Sequence, residues 1–133
     1  MAIENIIYSY ISQEEEYNKG DAIIKEGSRG YWVYIILEGT VKVKKDTPKG
    51  VVSIDSLSEG EIFGEMVLLQ AGKSVRTASI IADSKVKVGL LDTERLIKEY
   101  ESVSPHIKSL IASLMHRLEK ATHRAVRLAA HLE

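Results

Sequence analysis

Glu65 and Arg76 are the residues in this chain whose types and spacing point most directly to chemistry. They stand in Phe63-Gly64-Glu65-Met66-Val67-Leu68-Leu69, a polar loop with Gly72, Lys73 and Ser74, and then Val75-Arg76-Thr77-Ala78-Ser79-Ile80. Neither is needed for packing. Arginine offers a planar, permanently charged fork of donors that suits phosphate oxygens. A carboxylate repels phosphate but accepts hydrogen bonds well from a sugar hydroxyl. An acid opening a short helical turn also lies beside free backbone N–H groups, which favour anions. Gly64, Glu65 and Arg76 together therefore suit a ligand with one anionic group next to one hydroxyl. The competing reading is a Glu65–Arg76 ion pair that closes a loop.

The elements that must hold these residues follow from glycine punctuation and apolar spacing. Short β-prone runs at residues 22–25, 32–37, 40–45, 51–57, 77–81 and 85–91 lie between glycines, the pattern of an antiparallel sandwich or barrel. The run 32–37 is apolar throughout and belongs deep in the core. Val41-Lys42-Val43-Lys44 alternates and should be half-exposed. Glu38-Gly39 between these two runs signals a hairpin. Residues 66–69 fit one helical turn better than a strand. Ile3, Ile6, Ile7, Tyr10 and Ile11 have helical spacing, so a short N-terminal helix is expected over residues 2–12.

After Asp92 the chain reads as helical. Asp92-Thr93-Glu94 starts one helix, and Ser104-Pro105 starts another, with proline in the first turn where its missing N–H costs nothing. The second helix has neither proline nor glycine up to Leu132. Its apolar positions Ile111, Leu114, Leu118, Ala121, Ala125, Leu128 and Leu132 step by 3 and 4 in alternation, a heptad seam. About 28 residues at 1.5 Å each span about 42 Å, more than a small β-domain needs. The seam therefore suits a second copy of the chain, with packing on its own domain as the alternative. The division expected is residues 1–102 for the β-domain with its N-terminal helix and 103–133 for the dimer helix.

Bulk composition narrows the classes. The chain has 133 residues, 44% of them hydrophobic, which fits one globular domain with an appended helix. Its 18 basic and 19 acidic residues leave a formal charge of −1, so the overall balance gives no reason to expect nucleic acid or an acidic membrane as partner. There is no cysteine, which excludes disulfides, thiolate catalysis and cysteine-ligated metals and fits a cytoplasmic location. No apolar run reaches a membrane span, and no signal peptide is expected. All four histidines (106, 116, 123 and 131) fall in the C-terminal helical stretch. A cupin-type metalloenzyme, which needs histidines on barrel strands, is thereby disfavoured. No serine sits in a nucleophile elbow. No catalytic residue, metal or cofactor is assigned, and the chain is read as a binding protein, not an enzyme.

The stretch from Phe63 to Ile80 resembles the phosphate-binding cassette of cyclic nucleotide-binding domains. Upstream, Lys19-Gly20-Asp21-Ala22-Ile23-Ile24 with Glu26-Gly27, then Tyr34-Ile35-Ile36-Leu37-Glu38-Gly39-Thr40-Val41-Lys42-Val43, and Leu57-Ser58-Glu59-Gly60-Glu61-Ile62 resemble the family's ordered motifs. The likeness covers roughly residues 15–130. It implies an antiparallel β-jelly-roll (a double-stranded β-helix), mainly β, with a short N-terminal helix and a long C-terminal dimerisation helix. It also implies roles. Glu65 would accept the ribose 2′-hydroxyl, and Arg76 would pair with the cyclic phosphate. Backbone N–H groups of Gly64, Met66 and Ala78 would cradle oxygens, and Thr77 would reach phosphate or base through its hydroxyl. Val75 replaces a proline common in the family, and Thr77 is compatible with guanine, so cAMP and cGMP both remain candidates.

The long helix is similar to the central dimer helix of bacterial catabolite-activator-type (Crp/Fnr) regulators, in which both subunits close over the base. That likeness places Ala121-Thr122 at the base-contacting pair, with Thr122 keeping a hydroxyl. It implies a sensor of a transcription regulator that forms a homodimer. The winged helix-turn-helix of those regulators is not among these residues, so no nucleic-acid contact is expected from this chain itself. The alternative of the same fold is a dimerisation module that binds no nucleotide or senses another small molecule.

Overall fold

The computed structural model describes residues 6–69 and 75–131. Among these residues, eight strands form two four-stranded antiparallel sheets. They are β1 (Ile11–Tyr17), β2 (Ala22–Ile24), β3 (Tyr34–Glu38), β4 (Val41–Thr47), β5 (Gly50–Leu57), β6 (Ile62–Phe63), β7 (Ser79–Ala82) and β8 (Val86–Leu91). One sheet has the order β1-β8-β3-β6 and the other β2-β7-β4-β5. This is the jelly-roll expected.

The unbroken apolar run before Glu38 is explained by burial on both faces of β3. Side chains alternate across a strand. Tyr34 and Ile36 point into the core between the sheets, with Val41, Phe63, Ile80, Val88 and Leu90. Val33 and Ile35 point the other way, into a second cluster with Val67 and Leu91. Tyr34 stacks on its cross-strand partner Phe63, with ring centroids 4.9 Å apart. The second cluster also takes in Ile7, Tyr8, Ile11, Leu68 and Leu96, so the N-terminal segment, the turn after β6 and the first long helix meet there.

The N-terminal segment departs from the expected helix over residues 2–12. Residues 2–5 lie outside the described residues. Ile7–Tyr10 is a single 3-10 turn, and from Ile11 the chain is strand β1, paired with β8. A 3-10 turn places residues three apart on one side, so it satisfies much of the apolar spacing that suggests an α-helix.

Helix α1 (Thr93–Glu101) starts where Asp92 caps it, accepting from the Arg95 N–H at 3.1 Å. It is tied to the N-terminal turn: the Tyr10 hydroxyl donates to Glu99, the Arg95 guanidinium lies 4.1 Å over the Tyr10 ring, and the Asp92 N–H donates to the Tyr10 carbonyl at 2.7 Å. The hydrogen bond to Glu99 raises the Tyr10 phenol above its ordinary pKa.

Helix α2 (Pro105–Ala129) is capped by Ser104, with proline in its first turn. Its C-terminal part packs on β5, where Val126 and Ala130 are buried, and Lys49 donates to the His131 carbonyl at 3.1 Å. The barrel-facing line is Ile111, Met115, Thr122, Val126 and Ala130. The heptad seam mostly points elsewhere: Leu114, Leu118 and Leu128 are 62%, 54% and 62% exposed. Ile111 alone serves both lines, being half-buried, and Leu132 lies outside the described residues. No helix among the described residues is long and apolar enough to cross a membrane.

Candidate ligand-binding site

The site is built where β6 ends. Gly64 turns the chain with φ +82°, a left-handed conformation that side-chain-bearing residues rarely adopt. A Cβ there would also lie 2.9 Å from the Trp32 carbonyl oxygen and 3.0 Å from Arg76 Nη1. Glu65 then opens a 3-10 turn (Glu65–Leu68), with its side chain exposed. Val67, fully buried in the outer cluster, anchors the turn. The turn expected over residues 66–69 is thus present one residue earlier. Loop residues 70–74 lie outside the described residues.

Arg76 is fixed before its side chain is considered. Its N–H donates to the Ser28 carbonyl and its own carbonyl accepts from the Gly27 N–H, both at 2.8 Å. The side chain then runs inward until the residue is only 6% exposed. Nη2 donates to the Trp32 carbonyl at 2.7 Å and Nη1 to the Gly64 carbonyl at 3.1 Å. Gly30 lies against the guanidinium so closely that a Cβ there would fall 1.9 Å from Nε. Burial pulls the guanidinium below its ordinary pKa, while Tyr34 and Glu65 push it back up. It stays charged, as arginine does in proteins.

Among the described residues no carboxylate forms an ion pair with Arg76, Glu65 included. The loop-closing ion pair is therefore not the arrangement adopted. Buried charges in proteins are normally paired. Two carbonyl dipoles orient this one without neutralising it, and what they leave is a preorganised cation suited to an anion. A concavity of about 350 Å3 adjoins it, lined by Lys25, Arg29, Gly30, Trp32, Tyr34 and Arg76 among others.

The structure brings Gly64, Glu65, Met66 and Arg76 to one place. Thr77 and Ala78 follow Arg76 into β7, Thr77 exposed and Ala78 half-buried. The Thr77 carbonyl accepts from Lys45 Nζ, which also lies 3.5 Å from Glu26 Oε2. Thr122 is on α2, half-buried along the line that packs on β5, and no hydrogen bond joins it to the cassette among the described residues. Gly30, Tyr34 and the Trp32 carbonyl were not singled out from the sequence. Among the described residues no group of three or more His, Asp or Glu is placed to hold a metal.

Comparison with known proteins agrees with this geometry. The cyclic nucleotide-binding domain profile matches residues 14–102, from within β1 to the end of α1. A cAMP-dependent protein kinase regulatory subunit of Mycosarcoma maydis is 31% identical over 118 residues, covering 87% of this chain and 21% of that protein. The chain therefore spans about a fifth of the length of that relative. The EAL enzyme Bd1971 in its cAMP-bound form superposes with a TM-score of 0.76 at 27% identity, over 86% of this chain and 30% of that one. The Thermus thermophilus catabolite activator protein superposes with a TM-score of 0.66 at 26% identity, over 96% of this chain and 60% of that one. With the profile spanning the β-sandwich that presents the buried arginine, the chain belongs to the cyclic nucleotide-binding domain family.

Proposed function

We propose that this chain is the sensor part of a cytoplasmic regulator and that it binds cAMP or cGMP without catalysing a reaction. The cyclic phosphate sits on Arg76 and on the backbone N–H groups of Gly64, Met66 and Ala78. The ribose 2′-hydroxyl donates to Glu65, and the Thr77 hydroxyl reaches phosphate or base. The observation that carries this reading is the Arg76 guanidinium, buried, held by two carbonyls and without an acidic partner among the described residues. Isothermal titration with cAMP and with cGMP tests it. Micromolar or tighter binding of either is expected; no heat and no thermal shift with both would sink it in favour of a module that binds no nucleotide or senses another molecule.

The readout runs through one contact and one connection. The cassette turn packs on α1 through Val67, Leu68 and Leu96, and α2 follows α1. Ligand moves these helices only by the difference in its affinity for the two arrangements. Residues 1–102 are the sensing unit and residues 103–133 the dimer helix, on which Thr122 approaches the base. The likeness to the catabolite activator over nearly the whole chain supports a transcription regulator of Crp/Fnr type as the setting.

The exposed seam supports a homodimer. Introducing L114K and L118K together is expected to convert a dimer to a monomer in light scattering, since it places charges in an apolar contact. A parent protein that is monomeric at high micromolar concentration, with and without ligand, would overturn the assignment of that seam.

A further inference from the structure

The overall charge of −1 hides a strong segregation. Residues 105–131 hold five of the chain's 18 basic residues but only one of its 19 acidic ones, Glu119. At 3.6 residues per turn, Arg117, Lys120, Arg124 and Arg127, together with His106, His116 and His123, fall within about 120° of arc on α2. All seven are exposed, and none of the four Lys and Arg residues makes an ion pair or a side-chain hydrogen bond among the described residues. This face is neither the line that packs on β5 nor the leucine seam, so it stays free whether or not the seam is paired.

We infer that this face of α2 docks on the sugar–phosphate backbone of duplex DNA. Its composition separates the possible anionic partners. Besides the cations and histidines it carries Ser109 and Ser113, both exposed. Arg, Lys and Ser are side chains that contact phosphate oxygens. A bilayer would have to take up the adjoining exposed leucines Leu110, Leu114, Leu118 and Leu128, and the last three belong to the seam proposed to pair with a second copy of the chain. The basic face has no aromatic platform for stacking single-stranded bases. Helix α2, about 38 Å long, keeps another face on β5, so the basic face meets backbone phosphates from outside the groove, and the choice of DNA over RNA rests on the transcription regulator proposed above. The charges on Arg117, Lys120, Arg124 and Arg127 spread over about 15 Å along the axis, enough to meet several phosphates of one groove edge. No base-reading constellation is present, so binding is independent of sequence.

The test is fluorescence anisotropy of a labelled duplex of about 25 base pairs, with a duplex RNA and with phosphatidylserine vesicles as parallel arms. The expected result is binding on the order of micromolar at about 50 mM salt, weakening about 100-fold by about 200 mM for four neutralised phosphates. The variant R117Q/K120Q/R124Q/R127Q should lose it while keeping the parent's helical content by circular dichroism and its affinity for cyclic nucleotide. The proposal is overturned by no DNA binding at low salt, by equal binding of the folded variant, or by vesicles or duplex RNA binding in place of DNA.

Discussion

Replacing Arg76 by methionine is expected to weaken cyclic nucleotide binding by about 30- to 5,000-fold while leaving the free protein within about 2 kcal/mol of its original stability. The affinity range follows from truncating one partner of a buried, hydrogen-bonded charge pair, which costs about 2–5 kcal/mol. The stability expectation follows from opposing terms of similar size. In the free protein Arg76 is 6% exposed as a residue, and its guanidinium lacks an acidic partner among the described residues. Its removal relieves the desolvation of an uncompensated ion, several kcal/mol. Against this, the carbonyls of Trp32 and Gly64 lose charge-assisted hydrogen bonds, worth about 1.5–3 kcal/mol each. A residue kept for packing would show the reverse pattern, a large loss of stability with affinity following it. Thermal shift with and without ligand separates the two: the parent gains stability with cyclic nucleotide, and the methionine variant does not. Unchanged affinity in the variant would remove Arg76 from the site.

What was legible in the sequence were features whose residue types conflict with the bland explanation. An acid after a glycine and an arginine after a polar loop are not core material, and the fold places Gly64, Glu65 and Arg76 together. Asp92 and Ser104-Pro105 mark their helix starts through capping chemistry that the structure shows. Strand β1 was missed because Gln13 to Glu16 are four polar residues in a row, with a register shift between Ile11 and Gln13. At the edge of its sheet and paired only with β8, the strand needs few inward side chains, so it shows no alternation. Strand β6 has two residues, too few for any period. The two acceptors that orient Arg76 are carbonyls, and a carbonyl carries no side-chain signature; that of Trp32 is 44 positions away. The charge balance is legible only as a sum, which does not show that one face of α2 carries Arg117, Lys120, Arg124 and Arg127.

Gly30→Ala is expected to reduce ligand affinity about as much as loss of Arg76 does, although Gly30 is not proposed to touch the ligand. The backbone at Gly30 does not require glycine, since its φ is not among the positive ones. What forbids a side chain is space: the added Cβ would lie 1.9 Å from Arg76 Nε and 2.5 Å from Cζ and Nη2. An arginine end is ordinarily free to swing aside. This one is held by two carbonyls and a buried setting, so moving it breaks the bonds to Trp32 and Gly64. Overpacking of this kind costs about 1–3 kcal/mol in stability. The distinguishing measurement is a double-mutant cycle with Arg76→Ala. If the cost of Gly30→Ala is the displaced guanidinium, it vanishes once the guanidinium is gone, and the two effects are strongly non-additive. The sign should even invert, because alanine in a conformation open to it stabilises by about 0.4–1 kcal/mol through the unfolded chain. Additive losses across the cycle would mean that Gly30 serves the loop and not the arginine. The close approach of Gly30 would then have no part in holding the phosphate site.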